Sequence, residues 1–535
     1  MDPRPPLRPW APHRLPVPAL TGREAGAWDR RAIDRSGVPE RVLMENAGRA
    51  AAVILDRSYP EGPVVGLVGA GNNGGDALVA LRVLAAWGRE VRAVLVADRP
   101  TDDPLLHGWP IPVVVEDGWT AEDWAGVLSE ASVVVDGVLG TGVRGAPRER
   151  QAGAIRAVNA SAASVLAMDV PSGIDPDGGS VPGDAVRADV TVAFGAPKVG
   201  ALVHPARAAV GRLVVVEIGF PPLESGEARA FVSTPPWARD QLPRRSSDTH
   251  KNAVGRVLVV GGASGMAGAA LLAARGALRA GAGIVRVCTV PENREIVQRG
   301  VPEAIYVDGT DAAAVRDGLA ATDAVVVGPG LGQGDVALRL LERVLGGEPR
   351  PVLLDADALN LAAAGAVDLA AVGRTRPVLL TPHPGEMGRL SRRRRSASDG
   401  RCRALPRRRA ATGAAAVERF DRRGPVQGRA LCPSSASPDG ELLIDTQGSS
   451  DLAAAGMGDT LAGVCGTLMA QGLVSATAGA VGLYLTGRAA RLADKGAALT
   501  PSDVLERLPD VLSEPGGPTD ALGLPFVVLD IDPAA

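Results

Sequence analysis

Val64-Val-Gly-Leu-Val-Gly-Ala-Gly-Asn-Asn-Gly-Gly-Asp76 is an apolar run of strand length that passes through a glycine-rich turn into the helical stretch 77–86. A strand, a turn and a helix in that order open a βαβ unit and predict a parallel sheet. The turn lets the backbone approach a phosphate at the helix N-terminus, where free N–H groups and the helix dipole favour an anion. A tight packing corner is the plain alternative. Asn72, Asn73 and Asp76 weigh against it, because they are oxygen donors at a strand end, suited to a hard cation or to ribose and amide hydrogen bonds.

Outward from this stretch, further strands are expected at 91–96, 133–135, 164–168, 190–194 and 213–218, alternating with helical segments. Between residues 223 and 249 the chain turns rich in Pro, Ser and mixed charge, which is linker composition. A second alternation follows at 256–260, 284–288, 324–327, 352–354 and 378–380. The simplest account is an α/β protein of two doubly wound domains in tandem, each with ligands at the carboxyl ends of its strands. The uncharged stretch 460–487 is long enough to cross a bilayer, but Gln471-Gly472 is expected to divide it into two buried helices.

Composition agrees. The 535 residues are 46% hydrophobic and 22% charged, with Lys+Arg 57 against Asp+Glu 60, so a large core is available and no net field attracts nucleic acid. Aromatics are only 3% against 67 glycines, which favours Ala, Val and Leu cores in layered folds over β-sandwiches. Cys288, Cys402, Cys432 and Cys465 lack CxxC spacing, which disfavours a disulfide scaffold or zinc site and points to a reducing, cytoplasmic location. Residues 1–19 are Pro- and Arg-rich without an apolar core and read as a disordered extension rather than a signal peptide.

Two more oxygen-rich turns follow strands in the first half, Asp136-Gly-Val-Leu-Gly-Thr-Gly142 with Arg144-Gly145, and Met168-Asp-Val-Pro-Ser-Gly-Ile-Asp175. Together with GNNGGD, LTGREAGAWDRRAI and LMENAGRAAA, they make residues 20–222 resemble the NAD(P)H-hydrate epimerase family. The resemblance implies that Asn72, Asn73, Gly74, Gly75 and Asp76, with Gly140, Thr141, Gly142, Val143, Arg144, Gly145 and Ala146, hold a hydrated nicotinamide nucleotide. It implies that Asn73, Asp136 and Ser172 bind potassium (K+), and that Asp169 contacts substrate and does acid/base work at the epimerised carbon. The family pattern continues Gly-Asp-Gly where this chain has Asp76-Ala77, so the Ala77 methyl needs a negative φ or extra room.

In the second half a Gly-x-Gly-Asp opens a helix at Gly456-Met-Gly-Asp459, an arrangement that surrounds a transferring phosphoryl group with N–H donors and sets a carboxylate to activate a hydroxyl. His250-Lys251, GPGLG, DADALN, TPHPGEM and AAGMGDTLAG together resemble the ADP-dependent NAD(P)H-hydrate dehydratase branch of the ribokinase-like fold, over 250–514. The fold implied is therefore two tandem three-layer αβα domains, Rossmann-like then ribokinase-like. By resemblance Ala269, Gly332, His383 and Asp459 lie at the hydrate, Gly458 contacts the adenine nucleotide, and Asp459 is catalytic. The implied reaction phosphorylates the hydrate hydroxyl with ADP, with Mg2+, and then eliminates phosphate, giving NADH or NADPH. Without the surrounding motif His383 would read as a turn residue, and Asp355 and Asp357 as strand-end caps.

Residues 391–437 depart from this pattern: nine Arg fall between Arg392 and Arg409, with no helical stripe, no β-rich run and no Lys-Gly-x-x-Thr-like nucleotide loop. A pair of compensating reading-frame shifts explains the composition; a basic insertion and an anion-binding patch are the alternatives. Two rival functions remain, a ribokinase-like small-molecule kinase fused to a nucleotide-binding domain, which would leave phosphate on a product alcohol, and an epimerase with an inactive second domain. The expected partners are the hydrated nucleotides and ADP, with no nucleic acid and no membrane. A homo-oligomer is left open, and so is the role of the tail 515–535.

Overall fold

The computed structural model describes residues 16–142, 144–248, 250–396, 414–419, 433–436, 441–514, 522 and 524–533. The chain divides into two compact units, one of residues 17–231 joined by 518–535, the other of residues 232–517. Within the stretch of linker composition lie a short strand and the helix Pro235–Gln241.

After a first short strand β1 (Val17–Ala19), the first unit contributes β2 (Val64–Val68), β3 (Val91–Leu95), β4 (Val113–Val115), β5 (Val133–Gly137), β6 (Ser164–Met168), β7 (Val190–Phe194) and β8 (Arg212–Val216). They pair in parallel in the order β4-β3-β2-β5-β6-β7-β8. Alternate side chains supply two cores. Val64, Val68, Val133, Val135, Leu166 and Met168 pack on the helices Glu40–Ser58 and Asn72–Ala86, whereas Val65, Leu67, Val134, Val165 and Ala167 pack on Ala121–Leu128 and Glu149–Ala160. A sheet buried on both faces is a three-layer αβα unit. The strand order reverses at β2 and β5, so the crevice for a ligand lies above their carboxyl ends.

β9 (Ala230–Val232) leads into the second unit, which holds β10 (Arg256–Val260), β11 (Ile284–Thr289), β12 (Ile305–Asp308), β13 (Ala324–Val327), β14 (Val352–Leu354), β15 (Val378–Leu380), β16 (Ala414–Arg419), β17 (Pro433–Ala436) and β18 (Leu442–Ile444). The order is β12-β11-β10-β13-β14-β15-β16-β17-β18, parallel as far as β16 and antiparallel in the last two pairs. Val257, Val259, Val326 and Leu353 face one core, and Leu258, Val260, Val325 and Leu354 face the other. This unit too is three-layered, with its switch point between β10 and β13.

Residues 391–437, expected to hold no β-rich run, contain extended segments that join the sheet. β16 and β17 both fall inside 391–437, and the helix Pro384–Ser396 enters it. A backbone ladder at the open edge of β15 accepts an extended segment without a side-chain pattern, which is why periodicity missed it. No Lys-Gly-x-x-Thr-like sequence occurs in 391–437, and residues 397–413, 420–432 and 437–440 lie outside the described residues.

Thr460 to Gly487 is split as expected, into Met457–Ala470 and Ser475–Ala493, with Gly472 at φ +98 in the turn. Among the described residues no single helix is long and apolar enough to cross a membrane. The tail yields a strand, β19 (Val527–Ile531), which pairs antiparallel with β8 and becomes the edge of the first unit's sheet. Val527, Leu529 and Ile531 are buried there, and Arg212 clamps the Asp530 carboxylate through Nε at 2.8 Å and through Nη2.

Candidate functional site

Above the switch point of the first sheet lies a cavity of about 730 Å³. The turn after β2 enters it at the N-terminus of the helix Asn72–Ala86, so Asn72, Asn73 and Asp76 line the wall. The turn after β5 brings Gly140, Thr141, Gly142, Arg144 and Ala146, and the end of β6 brings Asp169. Gly74 and Gly75 stand behind the wall. A Cβ at Gly74 would lie 2.1 Å from the carbonyl oxygen of Gly69, so only glycine lets the helix start this close to its strand. Gly145 turns the chain at φ +82, and Val143 lies outside the described residues. Ala77 sits inside the helix, where φ is negative, with its methyl over Gly137, so the departure from Gly-Asp-Gly is absorbed.

The helices Gly22–Asp34 and Glu40–Ser58 close the cavity with Trp28, Asp29, Glu40, Leu43 and Met44. The first starts at a Thr21–Glu24 capping box, which fixes its entry. Trp28 stacks on Phe220 at 4.4 Å between centroids and donates its indole N–H to the Pro221 carbonyl at 2.8 Å. Glu40 accepts from Asn72 Nδ2 at 2.7 Å.

Asp136, Ser172 and Asn73 meet beside this wall. The Asp136 carboxylate is fully buried and accepts from the Ser172 N–H at 2.8 Å, the Ser172 hydroxyl at 2.6 Å and the Val138 N–H at 3.2 Å. Asn73 Nδ2 donates to the Leu139 carbonyl at 2.9 Å, and the Leu139 N–H donates to Ser172 Oγ at 2.8 Å. Burial raises the Asp136 carboxyl, with hydrogen bonds from Ser172 and Val138 opposing. A buried carboxylate amid hydroxyl, amide and carbonyl oxygens fits a hard monovalent cation.

Asp169 takes φ +62, rare for a residue with a side chain, and its Oδ1 accepts from the Phe194 N–H at 3.0 Å and from Lys198 Nζ. Lys198 went unread in the sequence. The available signal was its rarity, since of 57 basic residues only Lys198, Lys251 and Lys495 are lysine. Asp29 and Asp76 share the cavity with Asp169. Burial raises both, and each is pushed further by facing carboxylates, Asp76 by Asp169 and Asp29, and Asp29 by Glu40 and Asp169.

The second unit gathers its motifs in the same place in the fold. A Cβ at Gly328, at φ +128, would lie 1.8 Å from the Asp355 carbonyl, so the GPGLG turn runs directly over the start of the next loop. Ala269 borders this turn, since a Cβ built on Gly330 would come 3.0 Å from its methyl. The Gly332 N–H donates to Asp357 Oδ2 at 2.8 Å. Asp355 is the N-cap residue of Ala356–Ala364 yet makes no side-chain cap bond, so the cap reading does not account for it. Gly456, at φ +89, starts the helix Met457–Ala470, placing exposed Gly458 and half-buried Asp459 in its first turn. Burial, then the Asp355 and Asp357 charges, push Asp459 up to about 7. His383 is an exposed residue after β15 whose Nε2 lies 3.2 Å from Glu386 Oε1. Among the described residues no group of three or more His, Cys, Asp or Glu is placed to hold a metal ion.

Two doubly wound units, each with glycine-rich turns and carboxylates at its switch point, define a nucleotide-handling enzyme in two halves. Residues 40–200 match the family model of the YjeF-related protein N-terminus, and residues 257–510 match that of NAD(P)H-hydrate dehydratase. The chain is 35% identical over 527 residues to the bifunctional NAD(P)H-hydrate repair enzyme Nnr of Moorella thermoacetica, covering 92% of this chain and 96% of the relative. It is 36% identical to the protein of that name from Salinibacter ruber, over 93% and 96%. An ADP/ATP-dependent NAD(P)H-hydrate dehydratase from Bacillus subtilis, crystallised with ATP/Mg2+, is 28% identical with a TM-score of 0.41, over 52% of this chain and 96% of its own. The chain belongs to the family of bifunctional NAD(P)H-hydrate repair enzymes.

Proposed function

We propose that this chain restores hydrated NADH and NADPH, one half within 20–222 interconverting the R and S hydrates and the other within 250–514 dehydrating the S form with ADP. The observation that carries the reading is the first cavity. There the start of the helix Asn72–Ala86 and the turn from Gly140 share one cavity with Asp169, which supports a nucleotide held by its phosphates with a carboxylate offered to the ring. Asn73, Asp136 and Ser172 would hold potassium, which when bound supplies the charge that balances buried Asp136.

In the second half Asp459 accepts the proton of the hydrate hydroxyl as that oxygen attacks the terminal phosphorus of ADP, and AMP leaves. Gly458 lies in the first turn of its helix, whose first N–H groups would face the phosphoryl oxygens, an electrostatic contribution that needs no rearrangement. Hydroxide is a poor leaving group; once phosphorylated, the oxygen leaves as inorganic phosphate as its bond to the ring carbon breaks, and the neighbouring ring carbon gives up a proton so that the ring double bond forms. Gly332, His383 and Ala269 would line the hydrate's side of this site, and Mg2+ would accompany the nucleotide and offset its phosphate charge. An epimerase-only reading stays open on one observation, the absence of a Lys-Gly-x-x-Thr-like loop from 391–437.

Incubating the chain with separated R and S hydrates of NADH, with potassium and with or without ADP, tests both halves when both epimers and NADH are followed chromatographically. ADP-dependent conversion of both hydrates to NADH is expected. Interconversion without NADH would leave the epimerase alone, and a phosphorylated alcohol as end product would make the second half a kinase.

A further inference from the structure

The geometry points to Lys198 as the positioning residue of the epimerase half: its ammonium fixes Oδ1 of Asp169 and leaves Oδ2 as the oxygen that works on the hydrate. This rests on the functional reading above. Lys198 is 3% exposed, and its Nζ donates to Asp169 Oδ1, to the Phe194 carbonyl at 3.2 Å and to the Ala196 carbonyl at 3.1 Å. Three acceptors exhaust the three N–H groups of an ammonium, so none is left to bind substrate. Both bonds to Asp169, from Lys198 and from the Phe194 N–H, fall on Oδ1; among the described residues nothing donates to Oδ2.

The lysine is itself held. Val199 N–H donates to the Leu20 carbonyl and Leu20 N–H to the Pro197 carbonyl, both at 2.9 Å, so the buried Leu20 segment pins the backbone on either side of Lys198. Asp169 in turn occupies left-handed backbone at φ +62, a conformation that persists only where its surroundings impose it. Asp29 and Asp76 face Asp169, and the Lys198 charge lowers both, so the ammonium offsets three carboxyls that converge on one cavity. A chain that uses arginine for nearly every cation keeps lysine here, where only a compact point charge reaches three acceptors 3 Å away; a planar guanidinium cannot.

The test uses the full chain as wild type, K198M, K198R, D169N and the D169N/K198M double variant, reading kcat and KM for R-to-S exchange of NADH hydrate. K198M is expected to lose about 100-fold in kcat with KM within about threefold, the range of a misplaced acid/base group. D169N loses at least as much, and the double variant is no slower than D169N, because the lysine acts only through the aspartate. Should K198M fail to fold, K198R decides, with kcat down at least about tenfold and KM unchanged. Wild-type kcat in a folded variant, a loss confined to KM, or multiplicative losses in the double variant would overturn the assignment. Absence of exchange in wild type, or undiminished exchange in D169N, would instead remove the functional reading itself.

Discussion

Asp445, at the end of β18, offers a test of stability whose size the structure sets. Its carboxylate is 1% exposed; Oδ2 accepts from the Gln447 N–H at 3.0 Å and the Gly448 N–H at 3.2 Å, while among the described residues Oδ1 has no partner. Burial pushes it from an ordinary 3.8 up to about 7 against the pull of those hydrogen bonds and of Arg491. Because the folded value is raised, the protonated native form is favoured. This stability is complete below pH 3.8, and it is lost as pH climbs to 7. Three units at about 1.4 kcal/mol each give roughly 4 kcal/mol in all, of which about 3 kcal/mol falls between pH 4.5 and 7.5. D445N keeps an oxygen for the two N–H groups and cannot ionise, so its stability relative to wild type should rise by about 3 kcal/mol over that interval. Hydrogen exchange in urea, followed in peptides from the helix Ser475–Ala493, reads the second unit alone. Comparing the two chains at equal pH cancels the intrinsic exchange rate. A gap between the chains that changes by less than about 1 kcal/mol would mean that Asp445 ionises as freely folded as unfolded.

Three further outcomes are expected. With Asp459 held at about 7 and required as carboxylate, ADP-dependent NADH formation from the S hydrate should rise about tenfold from pH 6 to pH 8, and D459N should abolish it while epimer exchange persists. Equal rates at the two pH values would exclude Asp459 as the base. G74A drives a methyl into the Gly69 carbonyl and should destabilise the first unit by about 2 kcal/mol or more while removing epimer exchange, as a thermal melt and the hydrate assay would register. R212A strands the 5% exposed Asp530 side chain and should cost about 1–3 kcal/mol, read as earlier proteolytic release of β19; unaltered release would show that the strand is held by its backbone ladder alone.

The central strands were legible because a parallel strand buried on both faces is a continuous apolar run. The strands at 64–68, 164–168, 190–194 and 324–327 have the bounds expected for them. β4 and β12 were not, being edge or near-edge strands with half-exposed side chains such as Ile305, and β19 lay in a tail with no helical partner to suggest its place. The turns around Asn73, Asp136 and Asp169 could be found as oxygen-rich strand ends, but their convergence on one cavity is a property of strand order, which no local pattern encodes. The role of Lys198 was hidden for a related reason, its rarity marking the residue but not what it does. Its role depends on Asp169, 29 residues earlier, and on a β7 turn that reads as ordinary loop.

The antiparallel pairing of β19 with β8 has a consequence for synthesis. The first unit is not finished when the ribosome passes Phe231, since its last strand emerges about 300 residues later, or some 15–60 s at ordinary elongation rates. Throughout that interval β8, whose Leu213, Val214, Val215 and Val216 are all buried in the finished sheet, presents a bare apolar edge. A nascent chain stalled within the second half therefore carries an adhesive border, which β19 conceals once it has been made.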